Sequence, residues 1–262
     1  MEARPRDLLS RRGDYGFDAP AVPFFLGGGG VVLVGFAILS ATVGEGETWA
    51  LFPLIGGLFM LLSAGSFIYT TRLGKFAVWA EILGNLGLRG DEQVLDMGCG
   101  RGAVLLMAAK LLPRGRAVGL DLWRTVDQSG NSMEMTLENA EREGVRDRVE
   151  LKTGDITQMP FPDGSFDVVL SALAIHNIKD RQARLKAIDE AVRVLKPGGR
   201  LVIADIRHTT EYAHRLRELG MSDIQVRGLG WRYWYGGPWV ATTLVTAKKP
   251  LAASLPLREG VS

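Results

Sequence analysis

Five side chains in this chain stand where a ligand could be held or a proton moved: Asp96, Asp121, Asp155, His176 and Asp205. Asp96 lies near the end of a short apolar run, Gln93–Met97. That run leads into Gly98-Cys99-Gly100-Arg101-Gly102 and then into the helix-forming stretch Ala103–Leu112. Glycines at alternate positions leave the loop without bulky β-carbons, so its backbone N–H groups can approach a ligand closely. A carboxylate at that strand end can accept from an ammonium group or from hydroxyls. Asp121 ends a second apolar run, Ala117–Asp121, at the distance where one strand–helix unit returns to the same sheet edge. An acid there can take both hydroxyls of a ribose. The glycine spacing is Asp-x-Gly-x-Gly-x-Gly rather than the G-x-G-x-x-G of dinucleotide folds, which disfavours hydride transfer. His176 follows another apolar run, Val168–Ser171, by a few residues. Imidazole suits general acid–base work near neutral pH; positioning a substrate and capping the next helix are its competing roles. Asp205 could face a pocket or receive only backbone bonds.

Four stretches, taken in order, resemble class I S-adenosylmethionine (SAM)-dependent methyltransferases. They are Val94–Gly102, Ala117–Asp121, Gly154-Asp155-Ile156 with the run Pro160–Val169, and Arg193–Ile203. The resemblance covers residues 91–249 and is closest in style to the small-molecule and quinone or lipid branches. It implies SAM as cofactor, bound by Asp96, Met97, Gly98, Cys99, Gly100 and Gly102, by Asp121 and Leu122, by Asp155 and Ile156, and by Ser171. It also implies that Asp155 meets the adenine amino group. Methyl transfer is an in-line displacement from a donor already activated as a sulfonium. Placement of the nucleophile can therefore supply most of the rate, with effective molarities of about 10⁵–10⁸ M. A base adds about 10²–10⁴-fold when the acceptor must lose a proton, and His176 is the candidate catalytic residue. Cys99, the one cysteine, excludes an internal disulfide and a multi-thiolate metal site; it reads as a small residue packed under the loop. No metal is expected.

Alternating strands and helices position these residues. From Asp91 to Lys248 the pattern predicts a doubly wound, Rossmann-like parallel sheet of seven strands with helices on both faces. Helices are expected over Asn131–Gly144, Asp180–Leu195 and His208–Leu219. Strands are expected over Val149–Thr153, Val168–Ser171, Arg200–Ala204, Ile224–Arg227 and Val240–Ala247, the last two as the antiparallel hairpin that ends the family's sheet. His208 and His214 read as solvated or structural. The run Trp231–Trp239 is dense in aromatics. It could wall an apolar pocket, lie at lipid headgroups, cage a quaternary amine or simply pack along a strand.

Ahead of this core the composition changes. Residues 1–21 are polar and mixed in charge; thereafter no Lys or Arg occurs before Arg72. Within that gap lie two apolar runs, Phe24–Val43 and Ala50–Tyr69, each of about 20 residues, long enough to cross a bilayer's hydrocarbon core. Glu45 and Glu47 are the only charges between them. The expectation is a transmembrane helical hairpin over 22–71. Arg11, Arg12, Arg72 and Lys75 at its outer ends keep both termini, and the 91–249 domain, in the cytoplasm of an inner-membrane, two-pass protein. Ala37 and Ala41, or Gly56 and Gly57, offer close-packing surfaces. The tetraglycine Gly27–Gly30 reads as a loosened helix entry or a lipid-facing notch. Residues 72–90, with Phe76, Trp79, Leu83 and Leu86 at helical spacing, suggest an amphipathic helix that covers the sheet, lies at the membrane interface, or does both. Residues 250–262 read as a tail.

A net charge of +2 with 23% charged residues gives no basic field for nucleic acid. The expected partners are the lipid bilayer and a lipophilic small-molecule acceptor. The composition leaves oligomeric state open. The expected function is a membrane-anchored SAM-dependent methyltransferase acting on a lipid or other hydrophobic small molecule. Alternatives are a peptide, protein or soluble-metabolite methyltransferase with the hairpin as mere anchor, and a SAM-binding membrane module without chemistry.

Overall fold

A computed structural model describes residues 8–43, 47–125 and 128–251; the acidic turn around Glu45 and most of the C-terminal tail lie outside them. Helices α1 (Ala21–Val43) and α2 (Glu47–Tyr69) form where the sequence is apolar without interruption. They pack against each other through glycine. A β-carbon on Gly30 would come within 2.9 Å of the Gly57 carbonyl oxygen, and one on Gly57 within 2.9 Å of the Gly30 carbonyl oxygen. The tetraglycine is thus neither a loosened entry nor a lipid-facing notch. The helix runs through it unbroken from Ala21, Gly29 and Gly30 face the partner helix at Met60 and Leu61, and Gly28 alone meets open space. Ala37 is buried and Ala41 is not. Both helices are long and apolar enough to cross a membrane, yet only 17% and 22% of their most apolar windows are buried within the protein. Phe24, Phe25, Phe36, Phe52 and Leu62 are exposed.

The second helix does not stop at Tyr69. It passes through one π-helical turn, Thr70–Gly74, into α3 (Lys75–Asn85). The turn is held by the segment between the last two strands: a β-carbon on Gly74 would run into the Arg232 carbonyl oxygen, so only glycine permits that approach. The amphipathic helix expected over 72–90 is shorter than predicted, because Gly87 adopts a left-handed conformation (φ 58°) just beyond it. Its Phe76, Trp79 and Leu83 are buried.

Strands β1 (Gln93–Met97), β2 (Arg116–Asp121), β3 (Val149–Thr153), β4 (Phe166–Ala172), β5 (Leu195–Asp205), β6 (Ser222–Gly228) and β7 (Thr243–Lys248) form one sheet in the order 3-2-1-4-5-7-6. β7 alone is antiparallel to its neighbours. Helices α4 (Ala103–Lys110) and α5 (Met133–Arg142) join α3 on one face, whereas α6 (Arg181–Val194) and α7 (Thr209–Glu218) cover the other. Alternate residues of β1 divide accordingly, Val94 into the first layer and Leu95 and Met97 into the second. Caps explain two helix starts: Ser132 accepts from Met135 N at 3.1 Å, and Asp180 from Ala183 N at 2.7 Å. β5 begins at Leu195 rather than Arg200, since Leu195 already pairs with Phe166.

Residues 8–20 form a strap laid along the domain. Arg12 and Gly13 donate backbone N–H bonds to Glu143 at 2.8 Å each. Asp14 exchanges bonds with the Asn139 amide (2.7 and 2.8 Å) and pairs with Arg101 at 2.9 Å. Leu8 is completely buried. The strap ends where α1 begins.

Candidate active site

β1 delivers Asp96 to the sheet's centre, beside the point where strand order reverses. Its carboxyl is buried, and Oδ1 has no hydrogen-bond partner among the described residues. Burial chiefly, with the charge of Asp121 adding, raises its pKa from 3.8 to about 7. A buried, unpartnered carboxyl facing a cavity is a receptor for a cation or a strong donor. The loop after it turns sharply: Gly98 has φ 77°, and its N–H donates to the Leu120 carbonyl at 2.7 Å. At the end of β2, Asp121 accepts from Gly100 N (2.8 Å), Trp123 N (2.6 Å) and Asn131 Nδ2 (3.2 Å). Asp155 accepts from Thr157 N at 2.8 Å, which fixes the turn after β3. Cys99 lies under the loop, where a β-carbon on Gly119 would come within 2.7 Å of its sulfur. Burial first, then Asp96 and Asp121, push its thiol pKa well up, so it stays protonated.

These groups share a cavity of about 720 Å³. Asp96, Gly98, Cys99 and Gly100 line it, as do Asp121, Leu122, Asp155 and Ile156, and so does His176. Met97, Gly102 and Ser171 do not. The carbonyl of Met97 accepts from Ser171 Oγ at 3.1 Å, and both residues are fully buried inside the sheet. Gly102, with φ 84°, serves as the N-cap of α4. Met97 ends β1, Ser171 lies within β4, and Gly102 closes the loop at the start of α4.

His176, on the wall of the same cavity, sits in a short 3₁₀ turn, Ile175–Asn177, just beyond β4. Its Nδ1 lies 2.5 Å from Oδ1 of Asp205, which is wholly buried at the end of β5. The same carboxylate accepts from the backbone N–H groups of His176 (3.1 Å) and Ile206 (2.8 Å) and from the Tyr212 hydroxyl (3.3 Å). A carboxylate at Nδ1 places the ring proton there and leaves Nε2 as the acceptor. His208 and His214 stand outside this cavity.

The cavity also has aromatic walls. Phe67 of α2, Phe76 and Trp79 of α3, and Tyr233 and Tyr235 all line the cavity. The aromatic run between β6 and β7 packs against the long helix: Trp239 stacks on Phe59 (5.1 Å), Trp231 on Tyr69 (5.3 Å), and Tyr235 meets Phe67 edge-on (5.0 Å). The Thr70 hydroxyl ties the run down by donating to the Trp234 carbonyl at 2.7 Å. Trp79 Nε1 donates to the Tyr233 hydroxyl at 3.1 Å, and that hydroxyl's own hydrogen has no acceptor among the described residues. Tyr235 donates to Asp18 at 2.8 Å; Asp18 also receives both carboxylate bonds from Lys75 (2.8 and 3.0 Å). Burial holds both phenols protonated. Asp18, Lys75, Trp79, Tyr233 and Tyr235 are the site residues that sequence reasoning missed as such. The available signal was slight: two lone charges flanking apolar runs, and an aromatic cluster with several possible roles.

A family profile described as "Methyltransferase domain" matches residues 88–224. Among curated proteins, the chain is 32% identical over 167 residues to 27-O-demethylrifamycin SV methyltransferase of Amycolatopsis mediterranei, covering 61% of this chain and 56% of that protein. It is 32% identical over 132 residues to demethylmenaquinone methyltransferase of Lactiplantibacillus plantarum, covering 50% and 52% respectively. The chain thus spans about half the length of the curated relatives it matches. A SAM-dependent methyltransferase from Aquifex aeolicus shares the fold, with a TM-score of 0.52 at 22% identity, over 65% of this chain and 88% of that one. The profile match stops short of both the two long helices and the aromatic run.

Proposed function

Because the chain belongs to the methyltransferase-domain family, we propose that it transfers a methyl group from SAM to a lipophilic small molecule that enters from a membrane. The observation that carries this reading is the continuity of one cavity. The space bounded by Asp96, Asp121 and Asp155 extends without a break to Val22 of α1 and Phe67 of α2, the two helices whose apolar faces lie outward. Exposed apolar surface on this scale suits lipid far better than water. Basic residues Arg11, Arg12, Arg72 and Lys75 flank the outer ends of the pair, which supports a two-pass inner-membrane anchor with the sheet domain on the cytoplasmic side.

The residues present fit SAM. When bound, it supplies a methyl group already activated on a sulfonium. Asp96, unpartnered and buried, would take the ammonium of its amino-acid part; Asp121 would take ribose hydroxyls, and Asp155 and Ile156 the base. On the acceptor side, Nε2 of His176 would receive a proton released by an acceptor hydroxyl. Asp205 would then stabilise the resulting imidazolium across its 2.5 Å contact with Nδ1. The uncommitted Tyr233 hydroxyl would donate to an oxygen of the acceptor, with Trp79 fixing its direction. The aromatic walls would exclude water and hold an apolar ring or chain.

The test is transfer of radiolabelled methyl from SAM into native membranes by the purified protein, with Asp96→Ala as control. Label in the organic-extractable fraction, absent from the control, is the expected result. Label confined to the aqueous or protein-precipitable fraction would reduce the helices to an anchor, and no label despite SAM binding would refute the enzymatic reading.

A further inference from the structure

The strap and the bend between α2 and α3 enclose a second cavity of about 360 Å³. Its walls bring together two arginines that lie far apart in sequence. Arg11 Nη1 donates to the Arg72 carbonyl at 2.7 Å. The Arg11 guanidinium lies 3.9 Å over the Phe76 ring and that of Arg72 lies 4.2 Å over Phe17. Stacking fixes each plane and leaves the edge N–H groups available. Neither arginine forms an ion pair among the described residues. The acids beside them are otherwise engaged, Asp14 at the rim by Arg101 (2.9 Å) and Glu143 by Lys110 (2.7 Å). Burial chiefly, with Arg72 adding, lowers the pKa of Arg11 against the opposing pull of Tyr15 and Glu143.

Thr71 supplies an independent observation. Its side chain is 1% exposed, its hydroxyl oxygen has no hydrogen-bond partner among the described residues, and it lines this same cavity. Two guanidiniums without an ion pair among the described residues, beside a hydroxyl unpartnered among them, form a donor set for an oxyanion.

The location identifies the source of that oxyanion. Arg72 follows Tyr69 by one turn, and Tyr69 stacks on Trp231 where the exposed apolar surface of α2 ends. Leu9, Leu73 and Phe76 complete the wall, and Leu73 is exposed beside it. A group held there would have its anion on the arginines and an apolar portion free to run along α2. We propose that Arg11, Arg72 and Thr71 bind the phosphate of an anionic phospholipid, seating the protein at a set depth on its membrane; this rests on the membrane reading above. The bound headgroup would also clamp the strap to the bend, and so help hold Asp18 and Lys75 at the mouth of the acceptor compartment.

The experiment titrates full-length protein in nonionic detergent with dioctanoyl phosphatidylglycerol, dioctanoyl phosphatidylcholine or inorganic phosphate, reading bound ligand by native mass spectrometry. Phosphatidylglycerol is expected to bind at least about tenfold more tightly than either comparator. Arg11→Gln and Arg72→Gln should each weaken it about tenfold and Thr71→Val about threefold. Arg12→Gln, which removes an exposed charge nearby without touching the cavity wall, should change it less than about twofold. If Arg72→Gln fails to fold, Arg72→Lys retains the charge but loses the fork, and should still weaken binding about threefold. Equal binding of the two lipids would overturn the proposal, as would an equal loss from Arg12→Gln, which would indicate diffuse charge. Inorganic phosphate binding as tightly as phosphatidylglycerol would also overturn it, by making the site one for free anions. Alkaline extraction of native membranes reads the membrane premise separately: protein released into the supernatant would refute that premise whatever the titration shows.

Discussion

If Asp96 receives the ammonium of SAM as proposed, cofactor binding depends on pH in a calculable way. Its carboxyl is raised from 3.8 to about 7, so near neutrality the cofactor-free protein holds it half protonated. A carboxyl whose folded-state pKa exceeds its unfolded value keeps its proton longer in the folded chain. Its ionisation therefore removes stability as pH rises from about 4 to about 7, by roughly 4 kcal/mol over the full shift. The ammonium of SAM offsets that loss only if it meets the ionised form. With a pKa of about 7, the ionised fraction falls about 25-fold between pH 7.5 and pH 5.5, so the dissociation constant should rise by about that factor, or about 1.9 kcal/mol. The window stays below the cofactor's own α-amino titration, near 7.7–8.0 by its group type, so that ammonium remains the larger species. Calorimetry in two buffers of different ionisation enthalpy should show about half a proton released per SAM bound at pH 7. Asp96→Asn should bind SAM more weakly at pH 7.5 and lose the pH slope. Without cofactor, this variant should also be more stable than the parent above pH 7, because no buried carboxylate remains to be ionised. A flat pH profile for the parent protein, or an unchanged slope in Asp96→Asn, would refute the assignment.

Three further outcomes are expected. His176→Ala should lower kcat about 10²–10⁴-fold with SAM affinity within twofold, and adding Asp205→Asn should cost little more, since the pair acts as one unit; stopped-flow turnover checks both, and an undiminished kcat would exclude His176 as the base. Tyr233→Phe strands the buried Trp79 indole N–H and should cost about 1–3 kcal/mol of stability, yet leave SAM binding within twofold while reducing kcat/KM for the extractable acceptor about fivefold, the worth of one neutral hydrogen bond; an unchanged kcat/KM would leave the hydroxyl without a role. Lys75→Met strands the Asp18 carboxylate in a mostly buried setting (side chains 7% and 19% exposed) and should destabilise by about 3–5 kcal/mol, much of it regained by adding Asp18→Asn; thermal unfolding in detergent showing equal stability for all three would contradict the buried pair.

The residues that announce themselves locally were legible in the chain. Whereas Asp155 and the final antiparallel pair were legible only through the family resemblance, Asp96 and the glycine loop, Asp121 at a strand end, the alternation of strands and helices along the chain, and the two apolar helices follow from short-range spacing and periodicity. Such features are written within one strand, one turn or one helix, so neighbouring residues suffice to reveal them. Met97, Gly102 and Ser171 were singled out with the loop residues, but only the three-dimensional arrangement showed that they do not line the cavity. The tetraglycine was equally ambiguous until α2 supplied the surface it packs against.

What tertiary structure alone decided is the aromatic and His176–Asp205 part of the cavity. Asp205 reaches His176 across 29 residues of sequence, Lys75 reaches Asp18 across 57, Trp79 reaches Tyr233 across 154, and Tyr235 reaches Asp18 across 217. The sequence by itself determined the elements and the glycine loop. The compartment beside that loop exists only because the strap, the bent helix and the β6–β7 run are folded onto one another, and contacts between segments so distant leave no periodic trace in the chain.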